Sequence, residues 1–147
     1  MGDKMAKKVM AFGSFDFLHP GHLHYLNKAS KFGNYLIVVV ARDSSIKAIK
    51  GKSPIFSQNE RAKLVGSLDM VDRAVVGNKL KKSGDIYKII RQNKPDVIVF
   101  GYDQRVNLTN LRAWLKENRM KTKVIRIKSA LNPKLYKSSK IKALLIQ

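Results

Sequence analysis

His19 and His22 flank a Pro-Gly pair in the run Gly13-Ser-Phe-Asp-Phe-Leu-His-Pro-Gly-His22, the stretch densest in chemistry along this chain. Imidazoles three residues apart can face one side of a single helical turn. Val9-Met10-Ala11-Phe12, just before, has the length and apolar character of a buried strand. Gly13 and Ser14 break that strand, and Pro20 suits the first turn of a helix, where its missing N–H costs nothing. A helix start offers unpartnered N–H groups and the positive end of a dipole, so it attracts phosphate. Strand, tight loop, helix start and paired imidazoles together imply a site for a nucleotide phosphate. The competing chemistry is a metal centre. Zinc needs further His, Cys or carboxylate ligands in a defined geometry. The chain has no cysteine, and its third and last histidine is His24, which argues against zinc.

The elements that must position this pair alternate between strand and helix, a pattern that predicts a parallel sheet covered on both faces. Strands are expected at Lys8–Gly13, Tyr35–Ala41, Ala74–Val76, Asp96–Phe100 and Lys123–Ile127. Helices are expected at Gly21–Phe32, from Ser57 to about Leu68, from Gly84-Asp85 to about Asn93, at Leu108–Asn118 and at Lys137–Leu145. Gly33-Asn34 is expected to end the first helix in a left-handed conformation. Ser57-Gln-Asn-Glu60 has the form of a capping box. Residues 42–56 are expected to be loop with a short helical piece, and Lys128–Tyr136 a mobile connection. Trp114 falls at helical spacing with Leu111 and Leu115, which assigns it to the core. Three informative segments fall at predicted carboxyl ends of strands: Gly13–His22, Ala41-Arg42-Asp43 and Gly101-Tyr102-Asp103-Gln104. Open parallel sheets bind ligands at such ends, near the topological switch point.

The length of 147 residues predicts one domain with a single core. Tyr35–Ala41, the longest apolar run, is far too short to span a bilayer, and the N-terminus passes directly into the first strand without a secretory signal. The lack of cysteine excludes a disulfide scaffold and suits the cytoplasm. The formal charge of +20 is extreme, and from Gln104 onward Glu117 is the only carboxylate side chain. Such a chain attracts anions: nucleotides, acidic membranes or nucleic acid. No zinc finger, basic zipper or RNP-type strand accompanies the charge, which leaves nucleic acid as the minor reading.

His-Pro-Gly-His in this context resembles the His-x-Gly-His motif of the nucleotidyltransferase superfamily, and the chain is similar to the cytidylyltransferases over nearly its whole length. The resemblance implies a Rossmann-like, doubly wound, five-stranded parallel sheet in three α/β/α layers. It implies transfer of a nucleotidyl group from a triphosphate to a phosphate-bearing acceptor, with release of pyrophosphate and with a divalent metal, usually Mg2+, escorting the triphosphate. It also implies a homodimer. Glycerol-phosphate cytidylyltransferases carry Gly-Asn-Asp-Trp where this chain has Gly101-Tyr102-Asp103-Gln104, and an arginine where it has Asn132. Val40-Ala41-Arg42-Asp43, Lys50-Gly51-Lys52-x-Pro54-Ile55, Gly-Tyr-Asp-Gln and Ser138-Ser139-Lys140-Ile141 look more like the archaeal-type FAD synthases. That resemblance implies ATP and FMN as substrates and FAD as product.

Direct transfer needs positioning and charge neutralisation at the α-phosphate rather than covalent help. On this reading His19 and His22 donate to triphosphate oxygens, Ser14, Phe15, Pro20 and Gly21 line the phosphate channel, and Asp103 accepts hydrogen bonds from the base or ribose. Asp16 either accepts a hydrogen bond within the loop or helps hold the metal. Ser138 and Ser139, at a predicted helix start, would hold a further phosphate. Lys50 and Lys52 either hold the acceptor phosphate or are solvated loop charges. The resemblance gives Arg61 a phosphate, with an exposed helix charge as the competing reading. Tyr136, Tyr102 and Phe56 are the aromatic candidates for stacking the acceptor.

Overall fold

In a computed structural model, residues 6–79, 86–128 and 143 are described. Five strands form one all-parallel sheet: β1 (Lys8–Gly13), β2 (Tyr35–Val40), β3 (Arg73–Val76), β4 (Val97–Phe100) and β5 (Lys123–Arg126), in the order β3-β2-β1-β4-β5. The helices are α1 (Pro20–Ser30), α2 (Asp43–Lys50), α3 (Gln58–Gly66), α4 (Ile86–Asn93) and α5 (Leu108–Glu117).

Alternation along the strands divides the core in two, as a pleated strand covered on both faces must. Val9, Ala11, Leu36, Val38, Val40, Val97 and Val99 face one side, where Leu26 and Ala29 of α1 and Val65 of α3 cover them. Met10, Phe12, Ile37, Val39, Ile98 and Phe100 face the other, under Ile89 and Ile90 of α4 and Leu111 and Leu115 of α5. Trp114 packs against this second cluster, stacked on Tyr87 with ring centroids 4.7 Å apart. The chain changes face and direction of winding between β3 and β4, which makes the gap between β1 and β4 the topological switch point.

Local chemistry accounts for the boundaries. α3 begins with the expected capping box: Ser57 Oγ accepts from Glu60 N at 3.2 Å, and Glu60 Oε1 accepts from Ser57 N at 3.0 Å. Within residues 42–56 the expected short helical piece is Asp43–Lys50, closed by Gly51 at φ 75° whose N–H donates to Lys47 O at 2.8 Å, with loop beyond it. One expectation is corrected. Gly33-Asn34 does not end α1 in a left-handed turn; Lys31 caps that helix in the right-handed region. Gly33 is there because the first strand passes so close: a Cβ would lie 2.4 Å from the Lys7 carbonyl oxygen. The expected terminal helix at Lys137–Leu145, apart from helical Ala143, lies outside the described residues, as does the connection from Ser129 onward.

Candidate active site

The loop between β1 and α1 delivers both histidines to the switch point. His19 is the N-cap of α1 and Pro20 its first helical residue. His19 Nδ1 accepts from Gly21 N at 3.1 Å, and His22 Nδ1 accepts from His19 N at 3.3 Å. The imidazoles thus do the capping that Ser and Glu do elsewhere. Each Nδ1 is an acceptor, so a neutral ring must carry its proton on Nε2. The rings stack with centroids 3.8 Å apart. Burial, then the charges of His19 and Lys50, push His22 down to about 3; burial lowers His19 as well. At neutral pH the pair therefore consists of two neutral Nε2–H donors, locked in tautomer by the helix start they cap.

Phe15 reinforces the arrangement. Its backbone sits at φ 50°, and its ring tucks beneath Gly13, where a Cβ would lie 2.7 Å from ring carbons. The ring meets His22 edge-on with centroids 5.3 Å apart. Strained φ at a non-glycine residue persists only where its surroundings over-determine it, and such residues cluster at ligand sites.

Two buried polar side chains hold the surrounding loops. Asp16, buried, accepts on Oδ1 from Ile55 N at 2.7 Å and Phe56 N at 3.2 Å, so these bonds brace its loop against a second segment, where a bond within the loop was expected. Arg61 is placed otherwise than the resemblance implies. Its side chain is fully buried and donates to Phe56 O at 3.0 Å, Ser14 O at 2.7 Å and Asp43 Oδ1 at 2.7 Å. An exposed acceptor phosphate does not meet a guanidinium so engaged; Arg61 instead ties the phosphate loop to α2 and α3. Its burial was not legible locally, because the partners come from three separate segments. Arg61→Leu leaves those acceptors unpaired and should lower stability by about 1–3 kcal/mol, read from urea unfolding, with Arg61→Lys failing to restore it for want of the planar fork.

The remaining candidates separate by place. Lys50 ends α2, close enough for its charge to depress His22, while Lys52 is exposed just past Gly51. Phe56 stacks on Phe17 of the phosphate loop, centroids 6.3 Å apart. Tyr102 and Asp103 are exposed in the turn after β4, across the switch point from the histidines. Tyr136, Ser138 and Ser139 lie outside the described residues. Sequence reasoning passed over Tyr25 and Arg126, and named Gln104 in its strand-end segment without giving it a role. Arg126 Nη1 donates to Gly101 O at 3.0 Å and Gln104 O at 2.7 Å, pinning the turn that carries Asp103. Among the described residues no group of three His, Asp or Glu could form a metal cage. No described helix is long and apolar enough to cross a membrane.

Comparison with known proteins agrees with this geometry. A cytidylyltransferase-like family profile matches residues 10–144. An FAD synthase of Methanohalobium evestigatum is 44% identical over 140 residues, covering 95% of this chain and 89% of that protein. An FAD synthase of Aciduliprofundum boonei is 45% identical over 121 residues, covering 82% and 78%. Among solved structures, a lipopolysaccharide core biosynthesis protein from Thermoplasma volcanium superimposes with a TM-score of 0.78 at 42% identity, over 86% of this chain and 99% of that one. A pantoate-beta-alanine ligase from Francisella tularensis, at 16% identity and a TM-score of 0.62, covers 96% of this chain and 69% of its own and shares the fold.

Proposed function

This chain belongs to the cytidylyltransferase-like family, and from that membership we propose that it is an FMN adenylyltransferase, making FAD and pyrophosphate from ATP and FMN. The observation that carries the reading is the pair of neutral, tautomer-locked imidazoles at a helix start on the switch point, in a chain whose relatives are FAD synthases along nearly all of its length.

In the reaction an oxygen of the FMN phosphate attacks the α-phosphorus of ATP. A new P–O–P bridge forms, the α–β bridge breaks, and its electron pair leaves with pyrophosphate. The nucleophile is already an anion, so no general base is required. What the transition state needs is donors aimed at oxygens whose charge shifts. His19 and His22 supply Nε2–H donors, and the N-terminus of α1 adds its backbone N–H groups. Because the rings are neutral, they act by hydrogen bonding and not by proton transfer. Ser14, Phe15, Pro20 and Gly21 shape the channel for the triphosphate. Asp103 takes the adenosine side across the crevice, while Lys50 and Lys52 neutralise the incoming acceptor phosphate. Ser138, Ser139 and Tyr136 complete the phosphate and acceptor contacts.

A divalent cation fits as an escort of the triphosphate. Mg2+ commonly binds through substrate phosphates, water and one or two carboxylates, which requires no protein cage. The enzyme works in the cytoplasm as a homodimer, and its positive field draws in anionic substrates.

A matrix of ATP and CTP against FMN and glycerol 3-phosphate, with Mg2+ and read by pyrophosphate release, tests this. ATP with FMN should turn over and accumulate FAD. Preference for CTP with glycerol 3-phosphate would overturn the reading, as would polynucleotide binding with no pyrophosphate from any pair.

A further inference from the structure

We propose that Tyr25 and Gln104 are positioning residues that stand in for a missing rung between β1 and β4 and so set the width of the nucleotide crevice. The β1–β4 ladder pairs Val9 with Val97, Met10 with Ile98 and Ala11 with Val99, and then stops. On its other edge β1 stays paired with β2 as far as Gly13 and Val40. The next parallel rung toward β4 would join Phe12 N–H to Val99 O and Gly101 N–H to Phe12 O. A side chain intervenes in each of those two bonds. Tyr25 Oη accepts from Phe12 N at 3.2 Å and donates to Val99 O at 2.6 Å. Gln104 Oε1 accepts from Gly101 N at 2.6 Å, and its Nε2 donates to Phe12 O at 2.6 Å.

Two bonds in series span more than one, so the strands are spread apart where the sheet changes its direction of winding. All four backbone groups remain satisfied, as buried groups must. Burial raises the Tyr25 hydroxyl well above its ordinary range, which keeps it the donor that Val99 O requires. Arg126 holds the Gly101 and Gln104 carbonyls, so the second spacer is itself anchored. The consequence is geometric. His19 and His22 follow Phe12 on one bank, and Asp103 follows Gly101 on the other. The two spacers fix the distance between the donors for the triphosphate and the acceptor for the base or ribose. Their effect falls on ATP, because a nucleotide must touch both banks at once.

The inference rests on the nucleotide lying in this crevice, as in the function proposed above. Its test uses Tyr25→Phe and Gln104→Glu in the full chain, with the ATP and FMN KM values measured separately. A carboxylate at position 104 can still accept from Gly101 N–H but cannot donate to Phe12 O; once protonated, it can. At pH 8, Gln104→Glu should raise the ATP KM tenfold or more with the FMN KM within twofold of the parent. Tyr25→Phe should raise the ATP KM likewise, again with the FMN KM within twofold of the parent. ATP KM values matching the parent's, a loss confined to kcat, or a rise shared equally by FMN would overturn the inference. If Gln104→Glu does not fold, Tyr25→Phe decides alone by the same ATP-selective criterion. If the parent makes no FAD, the functional reading fails, and titration of parent and variants with a non-hydrolysable ATP analogue still decides the inference. An analogue that does not bind the parent overturns both.

Discussion

His22→Gln should lower turnover by roughly a hundredfold to a thousandfold while leaving the fold and the ATP KM close to the parent's. His22 has two jobs that this variant separates. Its Nδ1 accepts the His19 N–H at the start of α1, which is the place of Glu or Gln in a capping box. Glutamine can keep that bond. Its amide nitrogen, on a longer and freely rotating chain, is not held where the rigid ring fixes the Nε2–H, so the interaction weakened is the one made with the moving charge. His22→Ala loses both and should add a stability loss of about 0.5–2 kcal/mol from the damaged cap. Steady-state kinetics beside thermal melts separate the two effects. Near-parent turnover in His22→Gln would remove His22 from the chemistry.

Acid sensitivity is the second large effect. The folded chain holds His22 at about 3, against an ordinary histidine value of 6.5. Unfolding therefore takes up a proton at any pH between those values, and stability falls as the pH drops through that window. Above 6.5 both states are neutral and the contribution is fully present; it is lost progressively below. The limiting slope is about 1.4 kcal/mol per pH unit, and partial exposure of the ring screens it, so about 1–2 kcal/mol should be gone by pH 5. Urea midpoints of the parent and His22→Gln between pH 8 and pH 5 isolate this from the carboxylates. The difference between the two proteins should shrink or reverse with acid; a pH-independent difference would show that His22 titrates normally in the folded chain. The same depression predicts that kcat carries no inflection from His22 near pH 6.5.

The site's centre was legible because its information is local. Strand, Gly-Ser break, Pro at the helix start and two histidines lie within one short stretch, and the Ser57-x-x-Glu60 box closed on itself as its spacing dictates. The alternation of apolar runs with helical periodicity was enough for the parallel sheet, down to strand limits within a residue or two. What failed was non-local or ambiguous. The helical piece expected within residues 42–56 had no readable limits, because serines and lysines are poor evidence for helix until Gly51 supplies the closing turn. Gly33 looked like a left-handed cap, and only the approach of Lys7 reveals its purpose. Arg61 was expected on a phosphate or in solvent, because nothing in its helix announces that Ser14 O and Asp43 Oδ1, 47 and 18 residues away, will close around it with Phe56 O. Tyr25 and Gln104 are the extreme case: their partners on other strands lie 74 and 92 residues away in sequence.

The order of the strands has a consequence for how the protein is made. β1 meets β2 after a single helix, but its partner on the other side, β4, emerges only after two further helices, β3 and α4. The entropy of closing that longer connection must be met before the second edge of β1 is covered. During synthesis the catalytic half of the sheet therefore assembles late, and until Val97–Phe100 leaves the ribosome the strand bearing Val9, Met10 and Ala11 has a bare apolar edge, the kind that recruits other chains. By the same argument β4 bares an edge of its own until β5 covers it, so a nascent chain stalled after Val76 should self-associate more readily than one extended through Arg126.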